Sequence, residues 1–312
     1  MRLGVDIGGS KTASVVLGAG GEVLASATAP SGRGAAEVVA QATHIARLAM
    51  AEVGGPGAIT SVGACIPGLV DTTAGTVRHA VNLDVEHLDL AAELGAALGV
   101  DVTVENDVKA AALGAHLLSG LDAGRTLAYL NLGTGLAAAV VHAGEVVRGI
   151  HGVAGEIGHL PFGGDVVCAC GQTGCLETAA SGSALLRMWP DAHAQEFDLL
   201  GAAARGDGAA VLAAESLCGG VALAVQVLVL ASGAQSVVMS GGLTAMGDPL
   251  LDAIRAELRV RAAVSPFLAS LALDERVSFL PAGVPVAAIG AASLAPAPAA
   301  APAETGGAAW RS

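Results

Sequence analysis

The sequence predicts an α/β protein built from two similar lobes with a cleft between them. Its 312 residues are too many for one ordinary compact domain and fit two domains of typical size. Two short apolar runs joined by a glycine-rich turn open the chain, and the same unit recurs near residue 130. Helices that alternate with strands follow the first unit, which is the pattern of an α/β lobe.

The first lobe is predicted to begin with a β-hairpin around Gly8-Gly9-Ser10-Lys11-Thr12, because apolar runs flank this segment on both sides. Helical periodicity and further apolar runs continue as far as Glu105-Asn106-Asp107. The expected elements are strands at 3–7, 13–17 and 23–29, a helix at 35–53, a strand at 59–66, a helix at roughly 88–99, a strand at 102–104 and a helix at 108–118.

The second lobe is predicted to begin with strands at 127–132 and 136–141 around Gly133-Thr134-Gly135. A loop rich in glycine, cysteine and histidine follows at about 149–176, then mostly helices, a strand at 236–239 and helices to the end. The predicted domains are a first lobe at 1–118, a second lobe at 119–283, a helix at about 284–295 that packs back on the first lobe, and a tail at 296–312. The tail is rich in alanine and proline, so we expect it to be disordered.

Composition and charge argue against several classes of protein. Gly, Asp, Glu or His interrupts the apolar runs before they reach about 18 residues. The N-terminus offers no long apolar stretch that ends in a cleavage site. We therefore expect a cytoplasmic protein with no membrane partner. The net charge of −13 argues against nucleic acid as a partner, because binding to phosphate backbones needs clustered Lys and Arg.

The two glycine turns are candidate phosphate-binding sites. Glycines let backbone N–H groups approach an anion closely, and Lys11 and Thr12 add donors to the first turn. Asp6, at the end of the preceding strand, could hold a hydrated Mg²⁺ ion. A single turn of this kind is usually only a turn. Two of them, opening two similar lobes, favour a phosphate group clamped between Gly8-Gly9 and Gly133-Thr134-Gly135.

Asp107 is a candidate catalytic base. It follows a predicted strand and precedes a helical run, so Asn106 or Asp107 could simply be the N-cap of that helix. An N-cap explains one of these residues and leaves the other without a role. A carboxylate at the edge of the cleft could instead accept the proton of an attacking hydroxyl, as Asp does in phosphoryl transfer to alcohols.

A cysteine-rich segment carries the most specific local motif. Gly155-Glu156-Ile157-Gly158-His159 is followed, after eight residues, by Cys168-Ala169-Cys170-Gly171-Gln172-Thr173-Gly174-Cys175. Three cysteines with a nearby histidine match a tetrahedral zinc site better than a disulfide framework. Four protein ligands close the coordination sphere, so the predicted zinc would be structural. Cys65 and Cys218 lie in apolar segments and are expected to be ordinary core residues.

These motifs, in this order, resemble the ROK family of bacterial sugar kinases and sugar-responsive repressors. The resemblance extends from about residue 3 to about residue 292, and the segment from Gly155 to Cys175, continued by Leu176-Glu177, is its most diagnostic part. It implies the actin-like, hexokinase-like ATPase fold of the ribonuclease H type, with duplicated βββαβα lobes and a zinc-binding loop. It also implies ATP and Mg²⁺ as cofactors, a hexose substrate and a homodimer.

The resemblance further implies a role for most of the polar residues named above. Asp107 would be the catalytic base, and His159 would bind zinc through one ring nitrogen and the sugar through the other. The residues that would contact the sugar are Pro67, Gly68, Asn82, Asn106, Asp107, Glu156, His159 and Glu177. The residues that would bind the nucleotide are Asp6, Gly8, Gly9, Ser10, Lys11, Thr12, Gly133, Thr134, Gly135, Gly241 and Gly242.

Two segments depart from the family pattern. Leu136-Ala137-Ala138-Ala139 replaces further glycines after the second turn, and Asp84-Val85-Glu86-His87 lacks the usual tryptophan. The expected function is an ATP-dependent kinase acting on a hexose hydroxyl, first of all the 6-hydroxyl of glucose. The alternatives are a sugar-binding repressor and a relative that has lost catalysis. Repressors of the family carry a helix-turn-helix segment before the first turn, which begins here at residue 6, and this favours the kinase.

Overall fold

Two five-stranded sheets of the same topology form the centre of the described part of the molecule. The computed structural model describes residues 1–122, 124–193 and 198–294, so the predicted tail at 296–312 lies outside the described residues. The strands are β1 (Arg2–Ile7), β2 (Lys11–Leu17), β3 (Val23–Pro30), β4 (Ser61–Ile66), β5 (Leu69–Asp71), β6 (Thr76–Ala80), β7 (Val85–Leu88), β8 (Val102–Asn106), β9 (Thr126–Leu132), β10 (Leu136–His142), β11 (Glu145–Val146), β12 (Ser236–Ser240) and β13 (Val277–Phe279). The helices are α1 (Ala35–Ala51), α2 (Leu90–Leu98), α3 (Asp107–Leu118), α4 (Gly182–Met188), α5 (Leu199–Ala204), α6 (Gly208–Ser232), α7 (Asp248–Ala263), α8 (Pro266–Leu271) and α9 (Val286–Ala291).

The order of the strands repeats between the two sheets. The first sheet has the order β3-β2-β1-β4-β8, and the second has the order β11-β10-β9-β12-β13. In each sheet, the first strand of the lobe pairs antiparallel with the second strand and parallel with the fourth. Three meandering strands are therefore followed by alternating helices and strands in both lobes. The predicted duplication is confirmed.

Alternate residues of the central strands face different layers of helices, as expected for strands buried on both faces. In β1, Leu3 belongs to the core under α1, whereas Gly4 faces α9. In β9, Leu130 belongs to the core under α6 and α7, whereas Tyr129 belongs to the core around α3. The layers therefore run from α1 and α2, through the first sheet, α9, α3 and the second sheet, to α6 and α7.

Helices α3 and α9 cross in direct backbone contact at the middle of this stack. A Cβ atom at Gly114 of α3 would overlap the carbonyl oxygen of Val286, and one at Gly290 of α9 would overlap that of Ala110. Glycine also permits the close approach of α9 to the first sheet, at Gly4 and Gly63. The absence of side chains at these positions brings the two lobes close together.

Helix α3 lies on the sheet of the second lobe, although the predicted boundary after residue 118 assigns it to the first. Its buried residues Ala112 and Ala115 pack with Tyr129 and Val141 of the second sheet. Helix α9, the last one described, packs instead against β1, β2 and β4 of the first sheet. The lobes thus exchange helices across the cleft, and the domain boundary itself stays a prediction.

Short strands are the elements that the sequence does not predict. No strand is expected between residues 68 and 88, yet β5, β6 and β7 form a small antiparallel sheet. These strands have five residues or fewer and leave many side chains exposed, so no regular hydrophobic pattern marks them. The expectation of helices alone after residue 242 is wrong at β13, which pairs parallel with β12.

Helix α6 has 25 residues and, by length and composition alone, is apolar enough to cross a membrane. In this fold, half of its most apolar stretch is buried inside the protein. Leu217, Val221 and Leu228 pack in the core between this helix and the second sheet. The apolar sequence of α6 is therefore accounted for by its place as the longest core helix of the second lobe.

Candidate active site

A cavity of about 920 Å³ lies between the two sheets. Asp107, at the first position of α3, lines this cavity, and so does the segment 279–287 that leads into α9. Several residues with a predicted role in nucleotide binding line it from both lobes, namely Asp6, Gly8, Lys11, Gly241 and Gly242. The structure therefore gathers the predicted base and parts of the phosphate-binding segments around one space.

The first turn is held closed by its own hydrogen bonds. The Gly8 N–H donates to the Lys11 carbonyl oxygen at 3.0 Å. Ser31 Oγ donates its proton to the Gly8 carbonyl oxygen at 2.6 Å. The Thr12 hydroxyl lies 3.0 Å from Ser31 Oγ. Because a serine hydroxyl has one proton to donate, Thr12 is the donor to Ser31. Ser31 was not predicted from the sequence, and it lies beyond β2, at the end of β3. The Thr12 hydroxyl thus supports the turn from within, while Lys11 remains exposed.

The second turn is fixed from the side of the cysteine-rich loop. Glu177 Oε2 accepts a hydrogen bond from the Leu136 N–H at 3.0 Å, and a Cβ atom at Gly135 would overlap the same carboxylate. The N–H groups of Gly182 and Ser183 donate to the carbonyl oxygens of Gly133 and Thr134, at 2.8 and 3.1 Å. Glu177 therefore contacts the turn that was predicted to bind phosphate.

A second cavity, of about 630 Å³, opens behind this turn. Gly133, Thr134 and Gly242 line one side of it. Its other walls are largely apolar and include Leu186, Leu199, Leu243, Met246 and Pro249. An apolar cavity with a few polar backbone groups suits a flat heterocyclic base. Gly133, Thr134 and Gly242 thus line a space of this kind beside the larger cavity.

Asn106 is the N-cap of α3. Its Oδ1 accepts hydrogen bonds from the N–H groups of Val108 and Lys109, at 3.0 and 3.2 Å, and its Nδ2 donates to the Gly68 carbonyl oxygen at 3.3 Å. The carboxylate of Asp107 accepts a hydrogen bond from the Val108 N–H at 2.9 Å. The sequence left open whether Asn106 or Asp107 caps α3. The cap is Asn106, and Asp107 lines the cavity without capping the helix.

Asp6 and Asp107 have raised pKa values because both are buried in the same space. Burial, and after it the charge of Asp107, raises the pKa of Asp6 to about 7, against the weaker effects of the Cys65 thiol and Lys11. Burial raises the pKa of Asp107 above its ordinary value, although the Val108 N–H and Lys109 act in the opposite direction. Two carboxylates that repel each other in a cleft are typical of a site that binds cations or transfers protons.

Two further residues of this cleft were not found from the sequence. Tyr129 lines the large cavity, and burial raises the pKa of its hydroxyl to about 12. Cys65 Sγ donates a hydrogen bond to Asp6 Oδ1 at 3.6 Å. Both residues lie inside apolar strands, and an apolar pattern gives no signal that a polar tip reaches a site.

A smaller polar cavity of about 270 Å³ lies on the other side of Asn106. Three of the predicted sugar-binding residues line it, namely Gly68, Asn106 and Glu156. Arg148 Nε donates to the buried Glu105 carboxylate at 2.7 Å and forms part of the wall. This ion pair joins the end of β8, in the first sheet, to the loop that carries Glu156.

The remaining predicted sugar ligands lie around rather than in this small cavity. Asn82 packs against the first turn, where a Cβ atom at Gly9 would lie 2.9 Å from the Asn82 Cβ. Pro67 precedes Gly68 at the end of β4. His159 turns its Nδ1 towards Cys168, and the Glu177 carboxylate bonds to the second turn. The structure thus brings Gly68, Asn106 and Glu156 together in one cavity. Of the other five predicted sugar ligands, Asp107 lines the larger cavity, and Pro67, Asn82, His159 and Glu177 line neither of these two cavities.

The three cysteines and the histidine form a compact cluster. One ligand atom from each of His159, Cys168, Cys170 and Cys175 lies within 4.8 Å of the others. The Sγ atoms of Cys170 and Cys175 are 3.6 Å apart, and Cys168 Sγ is 3.7 Å from His159 Nδ1. Around a tetrahedral zinc ion with Zn–S bonds of about 2.3 Å, neighbouring sulfur atoms are about 3.8 Å apart. The cluster is therefore compatible with a zinc site.

The structure contains an α/β unit that is duplicated about a cleft, and each half contributes a glycine turn. Two buried carboxylates, Asp6 and Asp107, lie in the cleft. This arrangement defines the class of actin-like ATPases. The model of the ROK family matches residues 2–297, and the chain belongs to this family. The resemblance found in the motifs is confirmed.

Three similar proteins describe the range of the family. The glucokinase of Halalkalibacterium halodurans is 28% identical over 279 residues, which cover 81% of this chain and 83% of that protein. The crystal structure of a ROK family glucokinase from Streptomyces griseus, in complex with glucose and AMPPNP, has a TM-score of 0.74 at 29% identity and covers 94% of this chain and 98% of that chain. The xylose repressor of Caldicellulosiruptor bescii is 36% identical over 132 residues, which cover 42% of this chain and 33% of the repressor. The sequence similarity to the H. halodurans glucokinase spans most of the chain, and repressors are also among the relatives.

Proposed function

We propose that this protein is an ATP-dependent hexose kinase, with the 6-hydroxyl of glucose as the first candidate acceptor. The observation that carries the proposal is the position of Asp107. Its buried carboxylate lines the cavity between the two sheets, together with Gly8 and Lys11 of the first glycine turn, and it is not the cap of its helix. A carboxylate in that position can serve as the base for an alcohol that attacks a phosphoryl group.

In the proposed reaction, the sugar hydroxyl oxygen forms a bond to the γ-phosphorus while the bond from that phosphorus to the bridging oxygen of ADP breaks. The hydroxyl proton passes to Asp107, which must be ionised before the step. The N–H groups of the two turns and Lys11 would hold the phosphate charge. A Mg²⁺ ion held with the nucleotide near Asp6 would neutralise charge on the phosphates.

We assign the hexose to the space beside Asn106, where Gly68 and Glu156 line the small cavity. A hexose hydroxyl is both a donor and an acceptor, so carboxylates and amides satisfy it in pairs. Pro67, Asn82, Glu177 and the Nε2 atom of His159 would complete the sugar contacts from the surrounding loops. The adenine would lie in the apolar cavity beside Gly133, Thr134 and Gly242.

The cysteine cluster would hold a structural zinc ion. Four protein ligands leave no open position for a substrate, so the ion would stabilise the loop rather than take part in the reaction. Because His159 Nδ1 faces the cysteines, its other ring nitrogen would be left for the sugar. A cluster of reduced cysteines suits a reducing compartment, which supports a cytoplasmic location. The homodimer is proposed from the family alone.

The experiment that tests the function is a measurement of ADP release with a panel of sugars. Glucose, mannose, N-acetylglucosamine, N-acetylmannosamine, allose and fructose would each be offered with Mg²⁺ and ATP. We expect one of them to stimulate ADP formation at least tenfold over the sugar-free rate. If none does, the kinase proposal fails, and calorimetric binding of the same sugars would then support the inactive sugar-binding alternative.

The second candidate function is a sugar-responsive repressor, which the similarity to xylose repressors favours. That similarity covers less than half of this chain, whereas the similarity to glucokinases covers most of it. The buried carboxylate of Asp107 in the cavity beside the first glycine turn supports catalysis, since binding of a sugar alone does not require it. Sugar-dependent DNA binding without ADP release would favour the repressor over the kinase.

A further inference from the structure

Lys109 is a buried cation for which the proposed chemistry has no role. Its residue is 4% exposed, and it lies two positions after Asp107 in α3, where it lines the 270 Å³ cavity together with Asn106 and Glu156. Within residues 1–122, 124–193 and 198–294, no hydrogen bond or ion pair of its side chain is found. An ammonium group on so buried a side chain, at the wall of a cavity and without a partner in the described chain, is available to donate to a bound ligand.

The neighbouring carboxylates do not supply that partner. Glu105 accepts hydrogen bonds from Arg148 Nε at 2.7 Å and from the Asn106 N–H at 2.8 Å. Asp71 Oδ1 accepts from the N–H groups of Thr73 and Ala74, both at 3.0 Å. Glu105 and Asp71, which line the same cavity, are therefore already engaged within the protein.

Glu156 is the complementary group in the lining of the same cavity. It is exposed to the cavity, and the described chain provides no hydrogen bond or ion pair for its carboxylate. An ammonium group only donates hydrogen bonds, and a carboxylate only accepts them. Neighbouring hydroxyls of a polyol do both, so a sugar could satisfy the two groups at once. Both groups also affect the pKa of Asp107: the charge of Lys109 lowers it, and the charge of Glu156 raises it. The cavity therefore lies close to the proposed base.

From these contacts we infer that Lys109 is a specificity-determining residue that donates to an oxygen of the bound hexose other than the one that reacts. This inference rests on the proposed sugar-binding function. The preferred substrate is a hexose with an acceptor oxygen that faces Lys109 when the sugar occupies this cavity. A hydrogen bond from a charged donor contributes roughly 1.5–3 kcal/mol, so its loss is expected to weaken binding about tenfold or more.

The test measures hexose binding by calorimetry and turnover separately in Lys109→Met, which keeps the length of the side chain without its charge. Kd and KM for the preferred hexose should rise about tenfold or more, while KM for ATP should change less than about twofold. Arg259→Met, which removes one positive charge at the exposed surface of α7, is the matched control. Lys109→Gln is the second variant if the first fails to fold.

A series of monodeoxy sugars identifies the oxygen concerned. The wild-type protein should bind one of the 1-, 2-, 3- and 4-deoxy analogues of its hexose much more weakly than the parent sugar, and Lys109→Met should remove most of that difference. The inference is overturned if the variant binds every sugar like the wild type. It is also overturned if only kcat and its pH profile change, which would make Lys109 a counter-charge for Asp107. Because binding is measured without turnover, absence of kinase activity would reject the proposed function and not this inference.

Discussion

At the scale of single residues, Asp107 shows how one position combines a structural cost with a proposed chemical role. Its carboxylate is removed from water and lies near a second buried carboxylate, Asp6. Burial opposes ionisation of Asp107, and yet the proposed base must be ionised to accept a proton. The neighbouring Asn106 carries the helix cap, which frees Asp107 from a local structural task.

Asp107→Asn is expected to separate these two properties. Turnover should fall by about 10²–10⁴-fold, because the amide cannot accept the proton, while hexose binding stays measurable. Stability at neutral pH should rise, since the variant lacks a buried charge, and the melting temperature should increase by about 2 °C or more. Steady-state kinetics, sugar calorimetry and thermal unfolding check the three effects. Asp101→Asn, at an exposed position, is the control and should change none of them.

The stability gain should depend on pH with a definite sign. The pKa of Asp107 is raised in the folded state, so its ionised form destabilises the fold above that pKa, and the cost disappears as pH falls towards the unfolded value of 3.8. The difference in melting temperature between variant and wild type should therefore be larger at pH 8 than at pH 5. A difference that grew on acidification, or equal turnover of the two proteins, would contradict the assignment.

The sequence predicts the role of a site residue where a motif marks that residue. It does not predict the role where only the burial of the side chain in the fold decides it. The cysteine cluster was found in full, because four ligand types at short spacing have few other uses in a chain of this kind. Tyr129 and Ser31 were missed, since one lies in an apolar strand and the other in a loop with no motif. The partnerless Lys109 has no sequence signature at all, because a lysine early in a helix is usually solvated.

At the scale of elements, the ion pair between Glu105 and Arg148 connects β8 to the loop after β11. Glu105 is 2% exposed at its side chain, and Arg148 is 43% exposed. The pair therefore links the strand that ends in Asn106 with the loop that leads to Glu156. Sugar contacts from two lobes would depend on this connection for their relative position.

Arg148→Met should destabilise the protein and weaken hexose binding together. It leaves the Glu105 carboxylate buried without its cation, which should lower the melting temperature by about 4 °C or more. The double variant Glu105→Gln with Arg148→Met should recover part of that loss, because no unpaired charge remains. Thermal unfolding of the full double-mutant cycle measures the coupling. Additive losses would mean that the pair does not connect the two elements.

The cysteine-rich loop is predicted to depend on its metal. Elemental analysis should find about one zinc per chain, and removal of the ion by a strong chelator should lower the melting temperature. Cys170→Ser should reduce both metal content and stability, since it removes one of four ligands. Cys218→Ala, a buried cysteine of α6 outside the cluster, should keep the metal. A metal-free protein of full stability would refute the structural role.

Long elements were predicted from the sequence more reliably than short ones. Helices α1 and α2 and strands β1, β2, β3, β9 and β10 carry an apolar pattern over seven residues or more, or are bounded by glycine turns, and they were found nearly in full. The two-residue strand β11 was not predicted. Strands β5, β6, β7 and β13 have three to five residues, too few for a periodicity to emerge. Their pairing is decided by neighbours distant in the chain, which no local pattern records.

At the scale of the whole molecule, the exchange of α3 and α9 distinguishes this protein from two domains joined by a linker. Helix α3 follows the first lobe along the chain and packs on the second sheet. Helix α9 follows the second lobe along the chain and packs on the first sheet. The two helices also pack on each other. The duplication was evident from the repeated glycine turns. The return of the last helix to the first lobe was also predicted. The packing of α3 on the second sheet was not, because sequence order alone assigns α3 to the lobe that it follows.

This exchange predicts that the molecule unfolds in one cooperative transition. Neither lobe can lose its structure without exposing the helix that covers the other. Calorimetry of the wild type should give a single peak with an enthalpy of about 200 kcal/mol, taken at about 0.7 kcal/mol per residue. The van't Hoff and calorimetric enthalpies should agree. Two resolved transitions, each with about half of the enthalpy, would show that the lobes unfold separately.

The glycines at the crossing of α3 and α9 also limit what mutation can do to this chain. Every amino-acid substitution of a glycine introduces a residue with at least a Cβ atom. At Gly114 and Gly290 that atom would occupy the space of a carbonyl oxygen. Because alanine already carries this Cβ atom, no single substitution at Gly114 or Gly290 preserves the contact between α3 and α9. In a library of variants selected for activity, these two positions should be as intolerant as that of Asp107, although they touch no substrate.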